Sequence, residues 1–366
     1  MASLGIGIVG GGYMGKAHSA AFAAVGTVFE LALKPRLVSI AASSPQSSAD
    51  YARRFGFERG AESWQALVAD PDVDAVVIAS PQSTHLEIAE AAIALGKPVL
   101  CEKPMGLDVA EARRMTDLAE AAGIINQVAY NYARTPATQY ARKLIAEGAL
   151  GQITGFRCEH NEDFHNDLGL PGWRLKGAAN GCLGDLAPHA INCALALMGP
   201  IAELNAVIET VHAGRDGQTG DNDDQVQMMV RFESGVTGHI GASRIATGRK
   251  MGYAYEVFGT KGAIRFDQED QNALWLYEAG RAPAERGFRK VLAGPVHPDY
   301  LAFCQGPGHG TGYQDQIIIE AKDFIEAIES GAPRWPTFRD GLAVHQVVAA
   351  ARASHAARGW TRPADF

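Results

Sequence analysis

A chain of 366 residues with 47% hydrophobic and 20% charged content exceeds one average core, so two domains are expected. Its formal net charge of −8 argues against nucleic acid or an anionic membrane as the main partner, because both reward a basic surface, and leaves a small molecule as the natural ligand. The sequence has no run of 18 apolar residues, and "MASLGIGIVGG" enters a strand pattern without a basic, cleavable leader, so a cytoplasmic protein is expected.

Residues 5–15 read "GIGIVGGGYMG", an apolar strand running into Gly10, Gly12 and Gly15, with "KAHSAAFAAV" continuing as helix. In a Rossmann unit the first glycine makes the turn, the second admits a pyrophosphate to the backbone, and the third lets helix and strand approach. A plain strand–turn–helix also uses glycine, so the context has to decide. The last strand of this series reads "IINQVAY" (124–130), and before it come the apolar runs "LVSIAA" (37–42), "DAVVIAS" (74–80) and "KPVLC" (97–101). They are continuous rather than alternating, which suits parallel strands covered on both faces. Helical stretches separate them, one opening at Thr84 and Glu87 in the spacing of a capping box. The alternation is that of a doubly wound α/β sheet, expected over residues 1–130.

Ligands of such sheets sit beyond the carboxyl ends of the strands. Those ends hold Gly10, Gly12, Tyr13 and Met14, then Ser43 and Ser44, then Pro81, Gln82 and His85, and finally Glu102 and Lys103. All are expected to bind a nicotinamide dinucleotide. The acid that holds the ribose 2′-hydroxyl is replaced by Ala42, which tilts the expectation within NAD(P) toward NADP. Glu102 either contacts the cofactor or pairs with Lys103, and the residues alone do not separate these roles.

From residue 131 to 366 the pattern changes. "QITGFRCEH" and "DDQVQMMVRFESGVTGHIGASRI" alternate apolar and polar positions, the mark of a sheet with one covered and one open face. An open face that large predicts a homodimer or homotetramer. "GRDGQTGDNDD" lacks the spacing of a calcium loop and reads as a solvated turn. Residues 280–312 hold seven glycines and four prolines and are expected to be irregular. Two closing helices, "DQIIIEAKDFIEAIES" and "DGLAVHQVVAAARASHAARG", are expected to pack back toward the first domain. The five cysteines are scattered without C-x-x-C spacing, so they read as buried small hydrophobes; neither a thiolate zinc site nor any other metal is expected.

The ordered segments "GIGIVGGGYMGKAH", "GKPVLCEKPM", "NYARTP", "GCLGDLAPHAIN" and "FGTKGAIRF" resemble those of the family of glucose-fructose oxidoreductase, inositol dehydrogenase and the rhizopine-catabolism dehydrogenases. "RGFRKVLAGPVHP" through "GYQDQIIIEAKDFIEAI" looks like the branch with levoglucosan dehydrogenase and some inositol dehydrogenases. The resemblance implies a Rossmann domain followed by an α/β domain with a large open-faced, mostly antiparallel sheet. It also implies a sugar, anhydrosugar or cyclitol substrate that reacts at a secondary carbon. The lysine of its E-K-P motif, matching Lys103, contacts cofactor and substrate, and its D-x-x-x-H pair matches Asp185 and His189.

The chemistry suits those residue types. Hydride exchange at a secondary alcohol needs a base for the hydroxyl proton and a cation for the developing alkoxide, roles open to His189 and Lys103. Asp185, four residues before His189, shares its face on a continuous helix and can orient it. Taken alone, the pair also fits a helix-start acid and a buried core histidine. By the same resemblance Trp173 and Arg174 lie near the nicotinamide and the Lys103–Pro104 bond is cis. Tyr132, Arg134, His160 and Glu162 are expected to bind substrate. A protein that senses NAD(P)H without turnover is the rival class.

Overall fold

The computed structural model describes residues 2–166, 175–212, 214–215, 218–219 and 222–366. Two units divide it, Met1–Arg134 with Gly312–Leu342 and Thr135–Thr311 with Ala343–Phe366.

In the first unit β1 (Ala2–Val9) enters the glycine turn and leaves it as α1 (Tyr13–Val28). Then follow β2 (Leu33–Ala41), α2 (Pro45–Phe55), β3 (Arg59–Gly60), α3 (Trp64–Ala69), β4 (Ala75–Ile78), α4 (His85–Ala94), β5 (Val99–Glu102), α5 (Val109–Ala121) and β6 (Asn126–Ala129). The strands form one parallel sheet in the order β3-β2-β1-β4-β5-β6. Every residue of β4, β5 and β6 is buried, which is why β4 and the Val99–Cys101 part of β5 read as unbroken apolar runs, while β6 opens with the buried polar pair Asn126 and Gln127. Strand order reverses between β1 and β4, and in open α/β sheets that switch point opens the ligand crevice at the carboxyl ends. The capping box expected at Thr84 is not formed. A 3-10 turn over Gln82–Thr84 precedes α4, and the Thr84 hydroxyl donates back to the Pro81 carbonyl at 2.8 Å.

The second unit begins with α6 (Pro136–Ala146) and β7 (Ile153–Asn161), continues through α7 (Cys182–Asp185), α8 (Ala187–Met198) and β8 (Ile201–Glu209), and carries a two-residue ribbon of β9 (Gly214–Arg215) and β10 (Gln218–Thr219). Next come β11 (Gln225–Phe232), β12 (Thr237–Ser243), β13 (Gly252–Gly259), β14 (Gly262–Asp267), β15 (Ala273–Glu278), β16 (Arg289–Leu292) and α9 (Tyr300–Phe303). The chain closes with α10 (Tyr313–Ser330) and α11 (Phe338–Ala357).

Eight strands in the order β16-β15-β14-β13-β7-β12-β11-β8 make the second sheet, and only the β7–β12 pair is parallel. Along β11 Val226, Met228, Val230 and Phe232 are buried while Gln227, Met229 and Arg231 are exposed, so one face packs and the other stays open. Helix α8 covers the packed face over β7 and β12. The expectation of irregular structure over 280–312 needs correction: Arg289–Leu292 pairs with β15 as an edge strand, and Tyr300–Phe303 is a helical turn. Cys304 is likewise partly exposed, unlike the other four cysteines.

Helix α10 belongs to the first unit, where Phe324 meets Phe22 of α1 edge to face at 6.5 Å and Gln314 donates to the Ala17 carbonyl at 2.9 Å. Among the described residues no helix is long and apolar enough to cross a membrane.

Candidate active site

In the first unit the glycine turn is built by steric necessity. Gly10 has φ +114°, and a Cβ there would lie 2.3 Å from the Ala79 carbonyl oxygen; a Cβ on Gly15 would come within 1.9 Å of the Gly10 oxygen. Gly12 differs, because a Cβ there would meet nothing within 4 Å. Gly12 therefore marks open space at the head of α1, whose first turn has no side-chain cap and no acid. Bare N–H groups at a helix start beside open space are what a pyrophosphate requires, so these residues fit a dinucleotide.

Beyond β2, Ser44 caps α2 by accepting from the Ser47 amide at 3.2 Å, while Ser43 is exposed. No carboxylate stands at this strand end. Beyond β4, Pro81 is exposed and Gln82 half-buried. His85 is buried and turned inward, its Nε2 2.9 Å from the Ser80 carbonyl and its Nδ1 3.1 Å from that of Pro104. Burial lowers its basicity in spite of those carbonyls and the charge of Glu102. His85 thus braces the Glu102–Pro104 turn from behind.

At the end of β5, Glu102 joins two elements. Its Oε1 accepts from His18 Nε2 of α1 at 2.8 Å and its Oε2 accepts from the Lys103 backbone N–H at 3.1 Å. The Lys103–Pro104 bond is cis, and the Lys103 side chain is half-buried. Glu102 thereby braces the lysine's peptide against α1. Tyr13 is 71% exposed and stacks on Tyr313 of α10 with ring centres 6.2 Å apart, and Tyr132 tilts against the same ring at 6.3 Å. The Tyr313 hydroxyl reaches the Met14 sulfur at 3.4 Å. Arg134, expected to bind substrate, is engaged within the first unit. Its side chain is buried in an ion pair with Asp323, donates to the Trp335 carbonyl at 3.0 Å and stacks on the Trp335 ring.

In the second unit Asp185 and His189 do not share one continuous helix, contrary to expectation. Asp185 ends α7 and His189 lies in the first turn of α8, with Leu186 as the joint and Pro188 at the new helix start. The Leu186 carbonyl accepts from the His189 amide at 3.1 Å and faces His160 Nδ1 at 3.1 Å. His160 of β7, 2% exposed, completes its bonding with Glu162 Oε1 at 3.0 Å from Nε2, and its ring packs edge-on to His189 with centres 5.4 Å apart. It is therefore a buried support for the α7–α8 joint. Asp185 is half-buried, and Glu162 keeps part of its carboxylate exposed. Trp173 and Arg174 lie outside the described residues.

A buried charge cluster anchors this joint. Asp223 accepts from the Leu183 amide at 2.6 Å through its side chain and from the Cys182 amide at 2.9 Å through its carbonyl. Burial pushes its carboxyl up despite those bonds and the nearby arginines. Asp224 pairs with Arg244 at 2.9 Å, and Arg244 in turn reaches the Asn180 carbonyl at 3.1 Å. Among the described residues no group of three or more histidine, cysteine or acidic side chains is placed to hold a metal ion.

Comparison with known proteins agrees with both halves. Residues 4–130 match the model of an oxidoreductase family with an NAD-binding Rossmann fold, and residues 138–265 match the GFO/IDH/MocA C-terminal domain. The chain belongs to the GFO/IDH/MocA oxidoreductase family. Within that family it is 39% identical to levoglucosan dehydrogenase of Pseudarthrobacter phenanthrenivorans, with 98% of each chain covered. It is 27% identical to inositol 2-dehydrogenase of Rhizobium meliloti over 92% of each. A solved levoglucosan dehydrogenase in complex with NADH and L-sorbose superposes with a TM-score of 0.96, at 39% identity and 99% coverage of both chains. The expected two-part fold of this family is therefore the observed one.

Four residues escaped the reading of the sequence. His18 stands three residues after Gly15 in the small, apolar stretch "AHSAAFAAV", and Glu320 directly follows the apolar run "III" of α10; an ionisable group against an apolar helical stretch was the available signal. Asp224 and Arg244 had no comparable signal: Asp224 ends the stretch expected to be a solvated turn, whose last residues Asn222, Asp223 and Asp224 are in fact buried, and Arg244 looks like an ordinary strand-end residue.

Proposed function

We propose that this chain transfers a hydride between a nicotinamide dinucleotide and a secondary alcohol carbon of a sugar, anhydrosugar or cyclitol. The likeness to levoglucosan dehydrogenase along 98% of both chains carries the reading, since solved structures of that enzyme hold NADH with levoglucosan or L-sorbose. The nicotinamide, when bound, supplies the hydride acceptor or donor.

Gly10, Gly12, Tyr13 and Met14 hold the pyrophosphate against the start of α1, with Pro81 and Gln82 along the crevice. Ser43 and Ser44 face the adenosine ribose, where the lack of a carboxylate spares a 2′-phosphate from repulsion, so NADP is accepted and preferred. Lys103 places an ammonium where alkoxide charge develops, His189 takes the hydroxyl proton, and Asp185 orients the imidazole and the substrate. Tyr132 and Glu162 contact sugar hydroxyls. The open face of the second sheet, where Val207 and Met229 are exposed among charged neighbours, joins a second copy of the chain.

The test is nicotinamide absorbance with NAD and NADP across levoglucosan, aldoses and inositols. Turnover on at least one of them is expected, and Lys103→Met should lower kcat by roughly 10²–10⁴-fold. Cofactor binding with no turnover on any compound would favour the sensing class and sink the proposal.

A further inference from the structure

Behind the Glu102–Lys103 turn lies a set of ionisable groups that the proposed reaction does not use. His18 of α1 and Glu320 of α10 are both completely buried, and Glu102 is nearly so. Helices α1 and α10 pack against each other, which brings the three groups into one electrostatic neighbourhood. His18 Nε2 is bonded to Glu102, whereas His18 Nδ1 and both carboxyl oxygens of Glu320 have no hydrogen-bond partner among the described residues. The nearby Gln127 amide turns its nitrogen to the Glu320 backbone carbonyl at 3.2 Å, and its own oxygen is also unpartnered.

Charge counting explains the arrangement. Two buried carboxylates around one imidazolium would leave a net negative charge out of reach of water, so one carboxyl has to keep its proton. Glu102 receives N–H bonds from His18 and from the Lys103 peptide, which favour its anion. Glu320 receives none and is the natural holder of the proton. Burial pushes Glu320 up to about 8, against the pull of His18 and Arg134 and with the help of Glu102 and Asp323. Burial acts to lower His18, but its bond to Glu102 and the charges of Glu102 and Glu320 leave it net raised. The other groups near the set are Lys103 beside Glu102, and His85, Cys101, Tyr130 and Tyr313, each of which feels the charge of Glu102; Arg134 is paired with Asp323.

We propose that Glu320, His18 and Glu102 form one buried, charge-coupled relay in which Glu320 keeps its proton and Glu102, bonded to His18 and to the Lys103 peptide, fixes the backbone that presents Lys103. Glu320 is a positioning residue that acts through His18. The inference rests on the assignment of Lys103 as a reacting group, and the tests below separate the two.

The first measurement needs no cofactor. Ring resonances of 13C-labelled histidine are followed from pH 5 to 10, with His18 identified by the signal lost in His18→Gln. A relay gives a His18 curve with two inflections, the upper near the ionisation of Glu320, and Glu320→Gln abolishes the upper one and moves the lower by about one pH unit or more. The second measurement is the pH profile of kcat and KM for the alcohol. Glu320→Gln should displace the alkaline limb of kcat by about one pH unit while KM stays within about twofold, a split that a loss of packing alone does not produce.

A single-inflection curve in the wild type overturns the relay even if the variant fails to fold. An unaltered curve in Glu320→Gln does the same. Altered titration with an unmoved kcat profile overturns the positioning role. Wild-type turnover by Lys103→Met, with the linked titration intact, instead overturns the assignment of Lys103.

Discussion

Replacing Asp224 by Asn should cost the second unit about 4 kcal/mol. Asp224 is fully buried and Arg244 is 2% exposed, and they meet through Nε at 3.0 Å and Nη2 at 2.9 Å. The other Asp224 oxygen accepts from the amides of Val211 and His212, both at 2.7 Å. An asparagine offers one acceptor where the site has two sets of donors, so either the guanidinium or the amides lose their partner. Arg244 keeps Asn222 Oδ1 at 2.6 Å but has no counter-charge left from this pair. Breaking a buried ion pair costs about 3–5 kcal/mol, a large share of a total stability of about 5–15 kcal/mol.

Urea unfolding followed by tryptophan fluorescence at neutral pH measures this directly. The paired change Asp224→Leu with Arg244→Met should recover only part of the loss, because it removes both charges but leaves the Val211 and His212 amides without their acceptor. Since Arg244 also holds the Asn180 carbonyl ahead of α7, kcat should fall with stability in the single variant. A loss below about 1 kcal/mol in Asp224→Asn would refute the view that this pair anchors the α7–α8 joint.

Glycine variants should divide by steric role. Gly15→Ala should unfold or strongly destabilise the first unit, whereas Gly12→Ala should keep its melting temperature and lose at least about tenfold in NADH affinity by fluorescence titration, given its open surroundings. The raised carboxyl of Glu320 keeps its proton in the folded protein between its ordinary 4.5 and about 8, a range where the unfolded chain has released it. Stability should therefore be fullest at the acid side of that window and decline as pH rises through it. The loss is about 5 kcal/mol at about 1.4 kcal/mol per pH unit. Glu320→Gln should flatten this slope in thermal melts across the same range, and an unchanged slope would assign it to other groups. His160→Phe removes the side-chain donor to the Leu186 carbonyl while keeping an aromatic ring against His189. It should lower kcat by about fivefold with little change in KM, and a wild-type kcat would remove His160 from the support of the joint.

The glycine turn, the parallel strands and the open-faced sheet were legible because each has a periodic apolar signature or a steric rule. Gly10, Gly12 and Gly15 sit where the spacing placed them, and the end of β5 carries Glu102 and Lys103 as read. The break at Leu186 was missed, although Pro188, a residue favoured in the first turn of a helix, marked it. The ion pair of Arg134 was not legible because its partner Asp323 lies 189 positions away, beyond any local pattern. His160 and His85 were placed near ligands by topology, yet one ring nitrogen of each faces a carbonyl distant in sequence, Leu186 for His160 and Pro104 for His85, 26 and 19 positions away. The edge strand β16 was hidden by surrounding glycines and prolines, since its pairing comes from β15 rather than from its own propensity.

The return of the chain to the first unit at Gly312 bears on how the protein is made. During synthesis the parallel sheet emerges complete by Ala129, but the residues of α10 that shield Phe22 and neighbouring parts of α1 follow almost two hundred codons later. Until then an apolar flank stays uncovered on the ribosome, so nascent chains that stall within the intervening unit should be the ones that chaperones retain.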